Sequence, residues 1–373
     1  MEWWNIYILV SSFSLVISLM ITPLFKKLAI QINLFDKPSE QSHKKHTSAI
    51  PLMGGAAMCI TWCITLLIGL LAPSILPIDQ LPQTIIESLS GIDDVKAKII
   101  IIMIGGILIT LLGFIDDKYN MSAKTKFLCQ VIIVALVVIF ADIKITLFIH
   151  SDIINLLVSI LWIVVIINAV NFFDNMDGLA VGISCIAFLF FTVAALIFNH
   201  YFVASLGAIG LGTSLGLWFY NHSPASIFMG DSGSHFLGYT LGITSAYTTF
   251  YQHGITHSSF SVLIPIFIMA LPLFDLLSVV VIRIKTRKPI YIGDNNHISH
   301  RFCKMGMNRK TSVFCVHLLA IIIGLSVLPL LWGDEKTTII CIIQACIILI
   351  LISIIQFTSR KNKLTNNFTP SKD

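Results

Sequence analysis

The stretch Asn168 to Ala180 reads NAVNFFDNMDGLA. It places three amides (Asn168, Asn171, Asn175) and two carboxylates (Asp174, Asp177) between runs that are almost pure hydrocarbon. Two more acids, Asp116 and Asp117, close another apolar run, and Asp231 sits in the turn-like GDSG of SPASIFMGDSGSHFLGY. Two segments supply cations and imidazoles: DKPSEQSHKKHTSAIPLMGG, and RKPIYIGDNNHISHRF with His297, His300 and Arg301. Carboxylate and amide oxygens are hard donors that suit Mg²⁺, which typically takes one or two carboxylates plus substrate phosphates. Lysine, arginine and histidine offer charge to phosphate oxygens. Together these groups suit phosphoryl transfer, in which cations offset the charge on the transferred group and positioning does most of the catalysis.

Taken singly, each segment has a plainer explanation. An Asp-Asp pair at a helix end is a solvated pair, GDSG is a turn, and basic residues after an apolar run anchor to anionic headgroups. Asp275, inside the apolar LPLFDLL, reads as a hydrogen-bonding group between helices. Their convergence is what points to chemistry, and it depends on the elements that carry them.

Those elements are membrane helices. The 373-residue chain is 56% hydrophobic and 12% charged, against about 25% charged residues in soluble domains. Apolar runs long enough to span a bilayer occur at 5–25, 50–72, 98–115, 126–141, 153–171, 178–198, 201–220, 236–250, 261–282, 312–333 and 337–357. The fourth and eighth are short. The expected fold is an all-α polytopic membrane protein of about 11 transmembrane helices, with one membrane domain over 1–357 and a polar cytoplasmic tail over 358–373. The first run has no basic segment before it and no small-residue cleavage site after it, so a retained helix is expected. With the N-terminus outside, 20 of the 24 basic residues fall in alternate loops and the tail, the bias expected of cytoplasmic segments. The formal net charge of +5 is thus a topology signal, and no nucleic-acid partner is expected. The eight cysteines form no CxxC pair, so neither a disulfide framework nor a zinc site is suggested. In this topology all five polar segments face the cytoplasm.

Five segments, in order, resemble the polyprenyl-phosphate N-acetylhexosamine-1-phosphate transferases of the MraY/WecA type. They are DKP…KKH…IPLMGG (Asp36 to Gly55), GFIDD…Q (Gly113 to Gln130), NAVNFFDNMDGLA, PASIFMGDSGSHFLG (Pro224 to Gly238) and DNNHISHRF (Asp294 to Phe302). Any one is a weak signal; five in order at the same membrane face are specific. The resemblance implies a Mg²⁺-dependent enzyme, with Mn²⁺ as a substitute ion, in the bacterial inner membrane. It would move a sugar-1-phosphate from a UDP-HexNAc donor to an undecaprenyl phosphate acceptor at the cytoplasmic face, releasing UMP. Carried over by position, Asp231 and Asn171 are the implied metal ligands. Asp116, Asp117, Asp174 and His297 are the implied catalytic groups. Lys44, His46, Lys126, Asn168, Asp177, His300 and Arg301 are the implied substrate contacts. Membrane lipids surround the chain, and a homodimer is the one protein partner considered. Helical spacing is expected to bring Asn171, Asp174 and Asp177 together.

The chain departs from the family pattern in places. Ser299 stands where the histidine loop often has a middle histidine, Asn175 follows Asp174 where glycine is commonest, and the first loop is slightly longer than usual. HISH does not fit the three consecutive histidines of the branch that transfers phospho-N-acetylmuramoyl-pentapeptide. DKP and IPLMGG look more like the N-acetylglucosamine-1-phosphate branch, which initiates O-antigen, common-antigen or teichoic-acid synthesis. The muramoyl-pentapeptide branch is the alternative. A secondary transporter is the competing class, but transporters bind near the midplane in repeated, broken helices. An envelope-assembly scaffold would not need the acids.

Overall fold

The computed structural model describes residues 3–36, 49–75, 90–145, 151–248, 262–289 and 296–366. The chain divides into two compact units, Met1–Phe250 and Tyr251–Asp373. In the first unit the helices are α1 (Trp3–Gln31), α2 (Gly54–Ile75), α3 (Ser90–Tyr119), α4 (Ala123–Phe140), α5 (Asp152–Phe173), α6 (Leu179–Ile197), α7 (Tyr201–Asn221) and α8 (Gly230–Ala246). Helices are what an apolar chain must form in hydrocarbon, because each backbone N–H and C=O has to find its partner internally. Among the described residues, nine helices are long and apolar enough to cross a membrane. Of the eleven runs expected, the eighth and ninth are the two that fall short.

The eighth run falls short for a packing reason. Helix α8 has 17 residues, about 25 Å of rise. It is rich in glycine, serine and threonine, and every residue from Ser232 to Ala246 is buried. α2, α3 and α5 pack against it. Enclosed by protein, it needs small residues for close approach rather than lipid-facing bulk. Its threonine hydroxyls are satisfied within the helix: Thr240 and Thr244 donate to the carbonyls of Phe236 and Thr240 at 2.9 and 2.7 Å. The outer helices carry the apolar surface instead, with Ile8, Met20 and Leu24 of α1 and Leu128 and Ile139 of α4 all exposed. Large apolar exposure of this kind marks a lipid contact.

Two glycines set how closely the neighbours approach the first turn of α8. A Cβ on Gly55 of α2 would lie 2.1 Å from the backbone nitrogen of Gly233, and one on Gly113 of α3 would lie 2.5 Å from the carbonyl oxygen of Asp231. On the far side, α1 and α7 meet through a hydroxyl seam. Ser14 Oγ lies 2.9 Å from Thr213 Oγ1, and Ser18 Oγ donates to the Thr213 carbonyl at 2.9 Å. Behind α1, strands β1 (Phe35–Asp36) and β2 (Ile50–Pro51) form an antiparallel ribbon. The Phe228 N–H donates to the Pro51 carbonyl at 2.9 Å, and Gly54 and Gly55 donate to the carbonyls of Phe228 and Met229, both at 3.0 Å. The segment after α1 is therefore stitched to the loop that leads into α8.

The second unit holds α9 (Ile264–Ile268), α10 (Ala270–Lys285), α11 (Ile298–Lys304), α12 (Arg309–Leu325), α13 (Val327–Trp332) and α14 (Glu335–Asn366). The ninth apolar run is interrupted at Met269, which caps both α9 and α10, with Pro265 and Pro272 on either side. Proline lacks the N–H that a continuous helix needs. Helix α14 runs past the apolar run through Asn366.

Gly113→Val and Gly55→Val are expected to destabilise the detergent-solubilised protein by about 1–3 kcal/mol or more, since the obstructing atoms are backbone and cannot rotate away. Gly69→Val on α2, where a Cβ meets nothing within 4 Å, should melt close to wild type. Thermal unfolding of the three variants checks this.

Candidate active site

Four helices of the first unit bring their polar ends together. The first backbone N–H groups of a helix have no partner inside it. At the start of α8, those of Asp231 and Ser232 donate to the two carboxylate oxygens of Asp117 at 2.7 and 3.1 Å. Asp117, on the last turn of α3, thus caps α8 from another helix, a placement that the helix dipole also favours. Asp116 beside it is buried. Its Oδ1 accepts the Met121 N–H at 2.7 Å, and its Oδ2 lies 2.8 Å from the Lys126 ammonium. Lys126 enters from the first turn of α4, whose start is fixed by the Ser122 cap on the Thr125 N–H. The same ammonium reaches Asp231 Oδ2 at 2.7 Å. Asn171, near the end of α5, donates from Nδ2 to Asp231 Oδ1 and to Ser234 Oγ, both at 2.8 Å.

The segment after α5 is not helical. α5 ends at Phe173, and Asp174 caps it at φ −79°, ψ 70°. The expected helical stacking of Asn171, Asp174 and Asp177 therefore stops at Phe173, and a turn does the work instead. The Asn175 amide donates to the Phe172 carbonyl at 3.3 Å, satisfying one of the carbonyls that a helix end leaves open. Gly178 takes a left-handed φ of 73°, and its N–H donates to Asn221 Oδ1 at 3.1 Å. Asn221 in turn donates to the Ile227 carbonyl at 2.9 Å, and the Ala225 N–H donates to Asp177 Oδ2 at 3.1 Å. Asp177 and Asn221 thereby clip this turn to the loop leading into α8.

Asp174 differs from its neighbours. It is exposed. Even so, the surrounding protein withholds much of its hydration, and Asp231, Asp117, Asp177 and Asp36 add repulsion. Its carboxyl is pushed well above the usual carboxylate range. With Asp116, six carboxylates thus crowd one end of the first unit, and the Lys126 ammonium stands where two of them, Asp116 and Asp231, converge. Among the described residues no three carboxylate, imidazole or thiolate groups are placed to share one ion. The donor set still fits a hard divalent cation that uses one or two carboxylates and takes its remaining ligands from substrate phosphate and water.

The other expected residues are placed as follows. Lys44 and His46 lie outside the described residues. Asn168 faces deeper into the bundle, donating to Gln130 Oε1 at 2.9 Å and to the Val164 carbonyl at 2.8 Å. His297, His300 and Arg301 belong to the second unit, where they form a constellation of their own around Asp275. His297 Nδ1 lies 2.7 Å from Asp275 Oδ2, and the Ile298 N–H donates to Asp275 Oδ1 at 2.7 Å. Arg301 donates to Ser278 Oγ at 2.6 Å. Asp275 is fully buried, and it fixes which nitrogen of His297 faces away from it. Burial, then His297 and the cations of Arg309 and Lys304, push His300 down to about 4. At neutral pH it can offer a phosphate a hydrogen bond but no charge. Ser299 is buried, its carbonyl accepting Ser312 Oγ at 2.6 Å, so the missing middle histidine corresponds to an inward-facing position. The sequence reading assigned no part to Ser234, Asn221 or His235. The available signal was spacing: Gln130 and His235 each follow a charged site residue by four positions on an otherwise apolar helix.

Fold and cluster together describe an integral-membrane protein that presents an acidic, phosphate-suited centre at its helix ends. The family model of glycosyl transferase family 4 matches residues 99–249, which carry the Asp116–Asp117, Asn171–Asp177 and Asp231 segments. The chain is 35% identical, over 85% of its length and 83% of the other's, to a Bacillus subtilis protein named probable undecaprenyl-phosphate N-acetylglucosaminyl 1-phosphate transferase. It is 27% identical, over 93% of its length and 89% of the other's, to a decaprenyl-phosphate N-acetylglucosaminephosphotransferase of Mycobacterium leprae. A phospho-N-acetylmuramoyl-pentapeptide-transferase of Listeria innocua is 30% identical over 65% of this chain and 75% of its own. This is a membrane phosphosugar transferase. It belongs to glycosyl transferase family 4, among the polyprenyl-phosphate N-acetylhexosamine-1-phosphate transferases.

Asp117→Asn leaves one of the two α8 N–H groups without a carboxylate oxygen, and is expected to cost about 1–2 kcal/mol. Asp275→Ala strands both His297 and the Ile298 N–H in a buried place, and should cost about 3 kcal/mol. Thermal unfolding in detergent measures both, with Asp275→Asn expected to fall between wild type and Asp275→Ala.

Proposed function

We propose that this protein transfers N-acetylglucosamine-1-phosphate from UDP-N-acetylglucosamine to undecaprenyl phosphate, releasing UMP. The reaction would take place at the cytoplasmic face of the bacterial inner membrane and start a cell-envelope polysaccharide. The observation that carries this reading is the Lys126 ammonium held between Asp116 and Asp231, at 2.8 and 2.7 Å, amid further carboxylates at the helix ends. The printed names of the Bacillus and Mycobacterium relatives support the donor and the lipid acceptor. The accumulation of basic residues in alternate loops supports an outside N-terminus and a cytoplasmic site.

In this reading an oxygen of the lipid phosphate attacks the β-phosphorus of the donor. The bond from that phosphorus to the bridging oxygen breaks, and UMP leaves with the electron pair. Asp174 has no side-chain hydrogen-bond partner among the described residues, and its raised proton affinity suits it to take a proton from the attacking phosphate. Lys126 offers its ammonium to the charge that develops on the phosphate oxygens. Asp117 holds the α8 terminus, and through it Asp231, in place. Mg²⁺, or Mn²⁺ in its stead, held by Asp231 with the amide oxygen of Asn171, would offset the charge of the donor's diphosphate. In the second unit, Arg301 offers phosphate both charge and hydrogen bonds, and His300 offers a hydrogen bond only.

Purified protein with undecaprenyl phosphate, Mg²⁺ and labelled UDP-N-acetylglucosamine should give lipid-linked sugar phosphate and UMP in equal amounts. UDP-N-acetylmuramoyl-pentapeptide should give none. Product from the second donor alone would transfer the protein to the other branch, and no product from any UDP-HexNAc would overturn the reading. Asp231→Asn should lower kcat by roughly 10³-fold, the scale of losing one charge-stabilising group, in a protein that still folds.

A further inference from the structure

One turn deeper than the charged cluster lies a second polar layer. Gln130 follows Lys126 by four residues on α4, His235 follows Asp231 by four on α8, and Asn168 precedes Asn171 by three on α5. Each pair therefore shares a helix face. Every helix that gives a side chain to the Lys126–Asp231–Asn171 contacts also gives one to this layer. The layer is bonded to itself. Asn168 donates to Gln130 Oε1 at 2.9 Å, and Gln130 Nε2 lies 3.1 Å from His235 Nε2. Gln130 and His235 are both fully buried.

The chemistry of the pair fixes its direction. Gln130 Nε2 can only donate, so His235 Nε2 accepts and the imidazole carries its hydrogen on Nδ1. His235 Nδ1 is buried with no hydrogen-bond partner among the described residues. An unsatisfied donor in an apolar bundle costs free energy, and a leucine at either position would avoid that cost. Apolar side chains slide past one another with little angular preference, whereas a hydrogen bond is directional. A small rotation of α4 or α8 about its axis would break the Gln130–His235 bond. The same rotation would carry the Lys126 ammonium away from Asp231.

We propose that Gln130 and His235 are positioning residues. Their hydrogen bond sets the rotation of α4 against α8 that holds the Lys126 ammonium between Asp116 and Asp231. The inference concerns how that cluster is built, and its link to turnover rests on the function proposed above.

The test uses His235→Gln, His235→Asn, His235→Leu and the double variant Gln130→Leu/His235→Leu in the full-length protein. A glutamine side chain places an acceptor near the position of Nε2, whereas an asparagine reaches only the position of Nδ1. The first readout needs neither substrate nor metal: the rate at which an amine-acylating reagent modifies Lys126, followed by mass spectrometry. His235→Gln should label at the wild-type rate, and the Asn, Leu and double variants at least fivefold faster. The second readout is steady-state kinetics. His235→Gln should keep kcat within threefold of wild type, while the other three lose at least tenfold in kcat with KM for the UDP-sugar changed less than threefold. The double variant removes both partners of the Gln130–His235 bond and leaves Asn168 its bond to the Val164 carbonyl, so it should melt above His235→Leu, which strands the Gln130 amide, separating positioning from unfolding. Equal Lys126 labelling in all variants would overturn the proposal, as would wild-type kcat in a folded double variant. Wild-type protein that turns over no UDP-HexNAc would overturn the proposed reaction, while Lys126 labelling would still decide the positioning role.

Discussion

The arrangement depends on one ammonium group shared by two carboxylates. Asp116 and Asp231 come from helices far apart in sequence, and Lys126 lies within hydrogen-bonding distance of both. In a low-dielectric bundle, two facing carboxylates without a cation repel strongly, and removing one partner of a buried pair typically costs several kcal/mol. The pair is therefore poor evidence for extra stability but strong evidence for a fixed geometry. It locks the ends of α3, α4 and α8 to one another where a phosphorylated substrate would meet them.

The rest of the first unit can be understood as the means of holding that point. α8 must bring Asp231 into the middle of the bundle, so it is short, built of small residues and enclosed by its neighbours. Its open N–H groups must be satisfied, and Asp117 does so from α3. The turn carrying Asp174 and Asp177 is tied through Asn221 and Ala225 to the loop before α8, and the ribbon after α1 is tied to the same loop. Two connections distant in sequence are thus anchored to one backbone segment, Ala225 to Met229. Asp174 alone among these acids is left without a side-chain partner among the described residues, as a group that must exchange a proton would be.

Most of the fold was legible because hydrocarbon solvent leaves a chain few options. Each apolar run is mostly helical over its described residues, and of the two expected to be short, 126–141 and 236–250, the second is wrapped by protein. The break at Met269 was marked by Pro265 and Pro272 and could have been read. The acids of the site were legible by type and by their position at run ends. Their geometry was not. The pairing of Asn171 with Asp231 was implied by the resemblance, whereas the helical stacking expected of Asn171, Asp174 and Asp177 fails, because α5 stops at Phe173 and Gly178 turns left-handed. Asn168, expected from its motif as a substrate contact, bonds Gln130 in the ligand-free bundle, a depth along the helix that residue type does not reveal. Asp275 was read as a hydrogen-bonding group between helices. That is what it is, but its partner, His297, lies 22 residues further along the chain, at the start of α11, a separation that no periodicity could bridge.

On the proposed function, the Asp231 end of α8 is where a divalent ion and the donor's phosphates would meet. A crystal of the protein soaked with Mn²⁺ and UDP-N-acetylglucosamine, measured at a wavelength where manganese scatters anomalously, tests it most directly. An anomalous peak is expected in direct contact with an Asp231 carboxylate oxygen and a nucleotide phosphate. A fully occupied manganese on the nucleotide, remote from Asp231, would contradict it.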